Sequence, residues 1–173
     1  MKKFYIPYHE KETIDFLLLF RLYLLAEYDT TKKTFSIIEY QSVKELAERL
    51  GKTNGESRVS ASKVQRCLTD ERYKKYFAVN PKKKRIELKN DIRGGNRFIC
   101  LTLEEVQYLL SMDDLFLVRY YLYQRFYCGY NKEKRHNSTA KQILETMGYC
   151  PNSTRYIDKV SYCNKALAER GKQ

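Results

Sequence analysis

Two stretches of this sequence carry side chains in patterns that suit chemistry at a polyanion. In NPKKKRIELKND, Asn80 to Asp91, four cations stand in a row (Lys82, Lys83, Lys84 and Arg85), and apolar then alternates with charged. Such a run neutralises phosphates, and in isolation it reads as a nuclear localisation signal, a nucleic-acid patch or a solvated turn. In VSASKVQRCL, Val59 to Leu68, helical spacing turns Val64, Cys67 and Leu68 inward and leaves Ser62, Lys63, Gln65, Arg66 and Thr69 outward. Gln can make two hydrogen bonds to adenine and Arg two to guanine, each pair worth about 1–3 kcal/mol of discrimination. Ser60 is placed to cap this helix, and the free N–H groups of a first turn suit a phosphate.

Bond-making chemistry has less to work with. There are two histidines, His9 and His136, and neither stands beside a nucleophile or a second ligand. Sixteen tyrosines invite comparison with enzymes that cut phosphodiesters through tyrosine. Rolling-circle nickases, however, hold a metal with two histidines separated by one residue, a pair this sequence lacks. The Arg and His constellation of tyrosine recombinases cannot be located, and no GxxxxGK[ST] phosphate loop occurs. Five cysteines (Cys67, Cys100, Cys128, Cys150, Cys163) are an odd number with no CxxC pair. Three lie in apolar helical patterns, where a thiol acts as a small hydrophobe, so a reduced, cytoplasmic protein is expected. No catalytic residue, metal or small-molecule cofactor is assigned, and the expectation is a protein that is not an enzyme.

Charge points the same way. The formal net charge is +12 with a pI near 9.4, and it is uneven. Acids slightly outnumber bases from Glu10 to Glu56, whereas bases dominate from Arg58 to Arg97. A local positive field of this kind favours a nucleic-acid partner. The N-terminus lacks the apolar core and cleavage site of a signal peptide. FLLLFRLYLLA, Phe16 to Ala26, contains Arg21 and is too short to span a bilayer, so it reads as a helix buried on most sides and no membrane partner is expected.

The elements that must position these residues repeat. An apolar helix from Ile14 to Tyr28 precedes a β-prone stretch, Thr34 to Ile38. SVKELAERLG follows, with Ser42 and Glu45 as a capping box, Val43, Leu46, Ala47 and Leu50 as the inner stripe and Gly51 as the stop. The second half replays the order: a strand in RFICLT, a helix capped by Thr102 with Glu105, a long aromatic helix from Asp113 to Tyr130, and NSTAKQILETMGY ended by Gly148. The last helix runs from Asn152 to Leu167 with Ile157, Val160 and Leu167 inside. Ser42 then corresponds to Ser138 and Ser62 to Thr154, which makes a duplication the working expectation. RGGN, near Ile92 to Asn96, marks the boundary between domains 1–94 and 95–173. The fold class expected is mainly α with small β-hairpins (α+β), as two tandem units.

Two short helices joined by a turn, the second presenting exposed amide and basic groups, form a helix-turn-helix. VSASKVQRCL resembles the VSxSTVxRxL recognition segment of bacterial helix-turn-helix regulators, with Lys63 where Thr is usual. Tyr76, Phe77 and Val79, then Ile86 and Leu88, read as strands around a turn at Asn80 and Pro81. That hairpin carries Lys82 to Arg85 at its tip immediately after the candidate recognition helix, which favours a wing over a localisation signal or a solvated turn. The layout resembles tandem winged-helix DNA-binding proteins, particularly the replication initiators of plasmids and phages. The resemblance implies cytoplasmic, sequence-specific binding of double-stranded DNA, with replication initiation as one role and transcriptional regulation as another.

The second unit offers Asn152, Thr154, Arg155 and Lys159 to DNA, together with Asp158, which phosphate would repel. No second wing is visible before Gln173, so either this unit has none or the sequence is the N-terminal portion of something longer; the latter is the expectation. Phe116, Tyr120, Tyr123 and Tyr127 share one helical stripe, read as core or dimer seam, with a homodimer as the corresponding partner. The competing function is a winged-helix protein-interaction or oligomerisation module that would dock through that stripe.

Overall fold

Asp15 starts the first long helix. Its Oδ1 accepts the N–H groups of Leu17 (3.0 Å) and Leu18 (3.2 Å), satisfying two donors that a helix start leaves open. In the computed structural model, which describes residues 2–55, 57–90, 97–128 and 139–171, this helix is α1, Phe16–Leu25. Phe16, Leu18, Leu19, Phe20, Leu22 and Tyr23 are all buried, as a helix apolar on most sides requires. It is shorter than the sequence implied. Ala26 is already extended, and Glu27–Asp29 forms β2 in a hairpin with β3, Thr34–Glu39. Tyr28, opposite Phe35 on this pair, gains an edge-to-face contact at 5.3 Å that a further turn of helix would not give it.

The chain gathers into two compact units. The first comprises Met1–Pro7 and Ile14–Asp113; the second, Tyr8–Thr13 and Asp114–Gln173. In the first unit, α2 (Val43–Gly51) and α3 (Ala61–Thr69) follow β3, and a turn of 3-10 helix, Glu71–Lys75, leads into β4 (Phe77–Asn80) and β5 (Arg85–Leu88). These strands complete a four-stranded antiparallel sheet in the order β2-β3-β5-β4. A separate pair joins β1 (Lys3–Pro7) to β6 (Phe98–Thr102), and α4 (Leu103–Met112) packs on α1. Packing therefore places β6 and α4 with the N-terminal residues, beyond the 94/95 division expected from sequence, because β6 pairs with β1. Ile92 to Asn96, His136 and Ser138 lie outside the described residues.

The second unit is helical: α5 (Leu115–Cys128), α6 (Ala140–Met147) and α7 (Thr154–Gly171). Asp114 caps α5 through Phe116 and Leu117 N–H, and Thr139 caps α6 with Gln142 closing a capping box. Gly148 ends α6 at φ +87°, where a Cβ would stand 3.1 Å from that of Lys11. Most of the aromatic stripe is internal. Phe116, Tyr120 and Tyr123 are buried, Phe116 lies against Tyr149 and Tyr156, and Tyr8 stacks on Phe126 at 4.0 Å. Phe116, Tyr120 and Tyr123 are core packing within this unit, and Tyr127, the fourth residue of the stripe, is half-buried.

The fold is thus α+β with small antiparallel sheets. Among the described residues no helix is long and apolar enough to cross a membrane.

Candidate nucleic-acid interface

The turn between α2 and α3 is built on Gly51. Its carbonyl accepts the backbone N–H of Ser57 (3.0 Å) and the Ser57 hydroxyl (3.3 Å), so the chain folds back over the end of α2. Upstream, Ser42 accepts the Glu45 N–H, but the Glu45 carboxylate reaches Gln41 N–H rather than Ser42 and pairs with Arg49. Half of the expected capping box is present, one residue out of place. Arg21 donates to the carbonyl of Leu50 and to Thr53, tying the end of α2 to α1.

Ser60 caps α3 as its type suggests, accepting the Lys63 N–H at 3.2 Å. Val64 and Cys67 are buried, and Leu68 is half-buried. Ser60, Ser62, Lys63, Gln65, Arg66 and Thr69 are all exposed. Thr69 turns its hydroxyl back to the Gln65 carbonyl (3.0 Å), so it terminates the helix as much as it faces outward. Lys63 is tied: its Nζ lies 2.8 Å from Asp15 Oδ2. A partly exposed pair of this kind contributes about 0–1 kcal/mol to stability, so its interest is electrostatic.

Beyond α3, Asp70 is gripped by Arg72, which holds its carboxyl below the usual carboxylate range. The link to the hairpin is anchored in the core. Tyr73 accepts the Asp15 N–H at its hydroxyl, and Tyr76, fully buried, meets Phe16 edge-on at 6.1 Å. Phe77, Ile86 and Leu88 face the core from the two strands, the alternation that fixes register. At the tip, Asn80 Oδ1 accepts the Lys83 N–H (3.1 Å), and Lys84 takes a left-handed conformation, φ +49°.

The tip cations divide. Lys82, Lys83 and Lys84 are exposed and carry no ion pair among the described residues, and the same holds for Arg58 and Arg66. Arg85 differs: it opens β5, is half-buried, and pairs with Glu87 (3.3 Å) and Glu39 (3.9 Å), the residue opposite it on β3. Its charge is matched within the sheet, which sequence spacing could not show.

In the second unit Asn152, Thr154, Arg155 and Asp158 are exposed. Lys159 is half-buried, with Nζ 5.4 Å from the ring centre of Phe116 and 5.8 Å from that of Tyr156. Cation–π contact of this sort occupies it in packing. Tyr162 is an exposed aromatic side chain on α7, at 56%. These residues and those of α3 belong to different units.

Burial pushes the Cys67 and Cys163 thiols up to about 12, helped by the carboxylates of Asp15 and Asp114 respectively. The thiolate is the reactive form. Iodoacetamide at pH 8 is therefore expected to label exposed Cys150 first, with Cys67 and Cys163 reacting only on unfolding, as read by peptide mass spectrometry. Rapid native labelling of Cys67 would mean that α3 does not pack on that face. Among the described residues, no three His, Cys, Asp or Glu side chains are grouped to hold a metal ion. No family model matches the chain, and no curated protein or solved structure matches it.

Proposed function

We propose that this chain binds double-stranded DNA sequence-specifically in the winged-helix manner, with α3 in the major groove and the β4–β5 turn against phosphate. The proposed activity is binding rather than catalysis. One observation carries the reading: Gln65 and Arg66 stand exposed on a helix whose opposite face is buried, followed along the chain by three lysines with no described ion pair. A helix of that width fits the major groove, and unpaired cations supply sequence-independent attraction. The pairing of β3 with β5 supports it further, because it gives the wing a third strand to stand on. The helix pair α6–α7 makes the second unit a candidate second helix-turn-helix, with Arg155 better placed for phosphate than Lys159. The role that the layout favours is initiation of plasmid- or phage-type replication.

Footprinting on DNA flanking the gene tests the binding. One protected sequence is expected, with preference for it over a scrambled duplex reduced roughly 5- to 150-fold by Gln65→Ala or Arg66→Ala. Equal affinity for all duplexes would sink the reading. A plasmid carrying the protected site should be maintained only in cells that make the protein; maintenance without it would point to transcriptional regulation instead.

A further inference from the structure

We propose that Asp15 is a specificity-determining residue of the DNA face: it serves as a built-in counterion that withholds Lys63 from phosphate. The inference rests on the DNA-binding reading above. Asp15 divides its two carboxylate oxygens between tasks. Oδ1 caps α1 through Leu17 and Leu18, while Oδ2 holds Lys63 Nζ at 2.8 Å. The carboxylate is largely covered (18% exposed), whereas the lysine side chain is half open to solvent (53%). The acid is further fixed because its own N–H donates to the hydroxyl of buried Tyr73, at 3.0 Å. A rigid anion thus faces a cation in the first turn of α3, on the helix that also presents Gln65 and Arg66.

The physical consequence follows from counterion release. A lysine that meets phosphate freely adds to affinity for every sequence alike and carries no information. A lysine already paired brings no free charge, and moving it to phosphate would leave the largely covered Asp15 carboxylate without its cation near a polyanion. With Lys63 withheld, discrimination at α3 falls to Gln65 and Arg66, and attraction falls to the wing.

Asp15→Asn tests this cleanly, since Asn retains the oxygen that caps α1 and is as good a cap as Asp, while presenting an amide to Lys63. Fluorescence anisotropy of the full chain with the footprinted duplex and with a scrambled one, between 50 and 200 mM salt, is the measurement. The variant should bind the scrambled duplex more tightly at 50 mM. Its slope of log K against log salt should steepen by about 0.9, so the advantage shrinks roughly threefold across that range. Its preference for the specific duplex should fall. In a Lys63→Met background the same change should do nothing to the slope, and Lys63→Met alone should leave the wild-type slope unaltered. A slope that steepens equally without Lys63 would overturn the tether, because no released lysine could then account for it. An unchanged slope in Asp15→Asn would overturn it too, with wild-type binding intact. Failure of the wild-type chain to bind either duplex would remove the DNA reading and this one together.

Discussion

Replacing Lys82, Lys83 and Lys84 together by alanine is expected to weaken binding to every duplex by the same two to three orders of magnitude near 0.1 M salt. Each cation that meets a phosphate contributes about 0.9 to the slope of log K against log salt, so three contribute about 2.7. All three are exposed, and none has an ion pair among the described residues, so their charge is available. Arg85 is left out because Glu39 and Glu87 already match it. The turn keeps its frame without the lysines: Asn80 accepts a backbone N–H, and the register from Phe77 to Asn80 does not involve the tip. Thermal stability should therefore change little, and like-charge repulsion removed from the tip favours the variant if anything. Anisotropy titrations at three salt concentrations, on specific and scrambled duplexes, read both the loss and the slope. A loss confined to one sequence would mean that the tip reads bases; no loss at all would remove the wing from the interface.

Gly51→Ala is expected to destabilise the first unit by about 2 kcal/mol and to abolish sequence preference in the folded fraction. A Cβ at this position would lie 2.3 Å from the carbonyl oxygen of Ser57, and the obstacle is backbone, not the end of a flexible side chain. Relieving such overpacking costs typically 1–3 kcal/mol, occasionally more. Against it stands the gain of up to about 1 kcal/mol from replacing Gly by Ala in a helix. The clash wins, because the chain can escape only by giving up the hydrogen bonds from Ser57 to the Gly51 carbonyl. Those bonds set where the α2–α3 turn runs, so α3 would move with them. Urea denaturation with an unchanged m-value checks the first part, and the specific-to-scrambled affinity ratio checks the second. A variant as stable as wild type would show that the turn is not closed on Gly51.

What the sequence disclosed and what it withheld follow one physical line. Signals within a few residues were legible: the 3.6-residue period that buries Val64 and Cys67, the caps Ser42, Ser60 and Thr102, the stop at Gly148, and the β4–β5 hairpin with its polar turn. Features that depend on a distant partner were not. Glu27–Asp29 carries no strand pattern of its own and becomes one by pairing with β3. The segment Lys3–Pro7 finds its partner almost a hundred residues later, in β6. Arg85 looked like a fourth tip cation until the register set Glu39 opposite it. Asp15 and Lys63 give no sign in sequence of belonging together, and the sequence pattern put Asp15 inside the first helix, where it is in fact the cap. Lys159 looked available until the rings of Phe116 and Tyr156 came under it.

The β1–β6 pair also dictates an order of events during synthesis. Phe4 and Ile6, both buried, sit on a strand whose only sheet neighbour among the described residues is Phe98–Thr102. On the ribosome β1 has no strand to pair with until Thr102 has left the exit tunnel, and a polypeptide halted at residue 94 would hold it only through α1, where Phe4 meets Tyr23 and the Tyr23 hydroxyl donates to the Tyr5 carbonyl. The nascent first unit must therefore wait, with its opening strand unmatched, while the helices and hairpin between them are made.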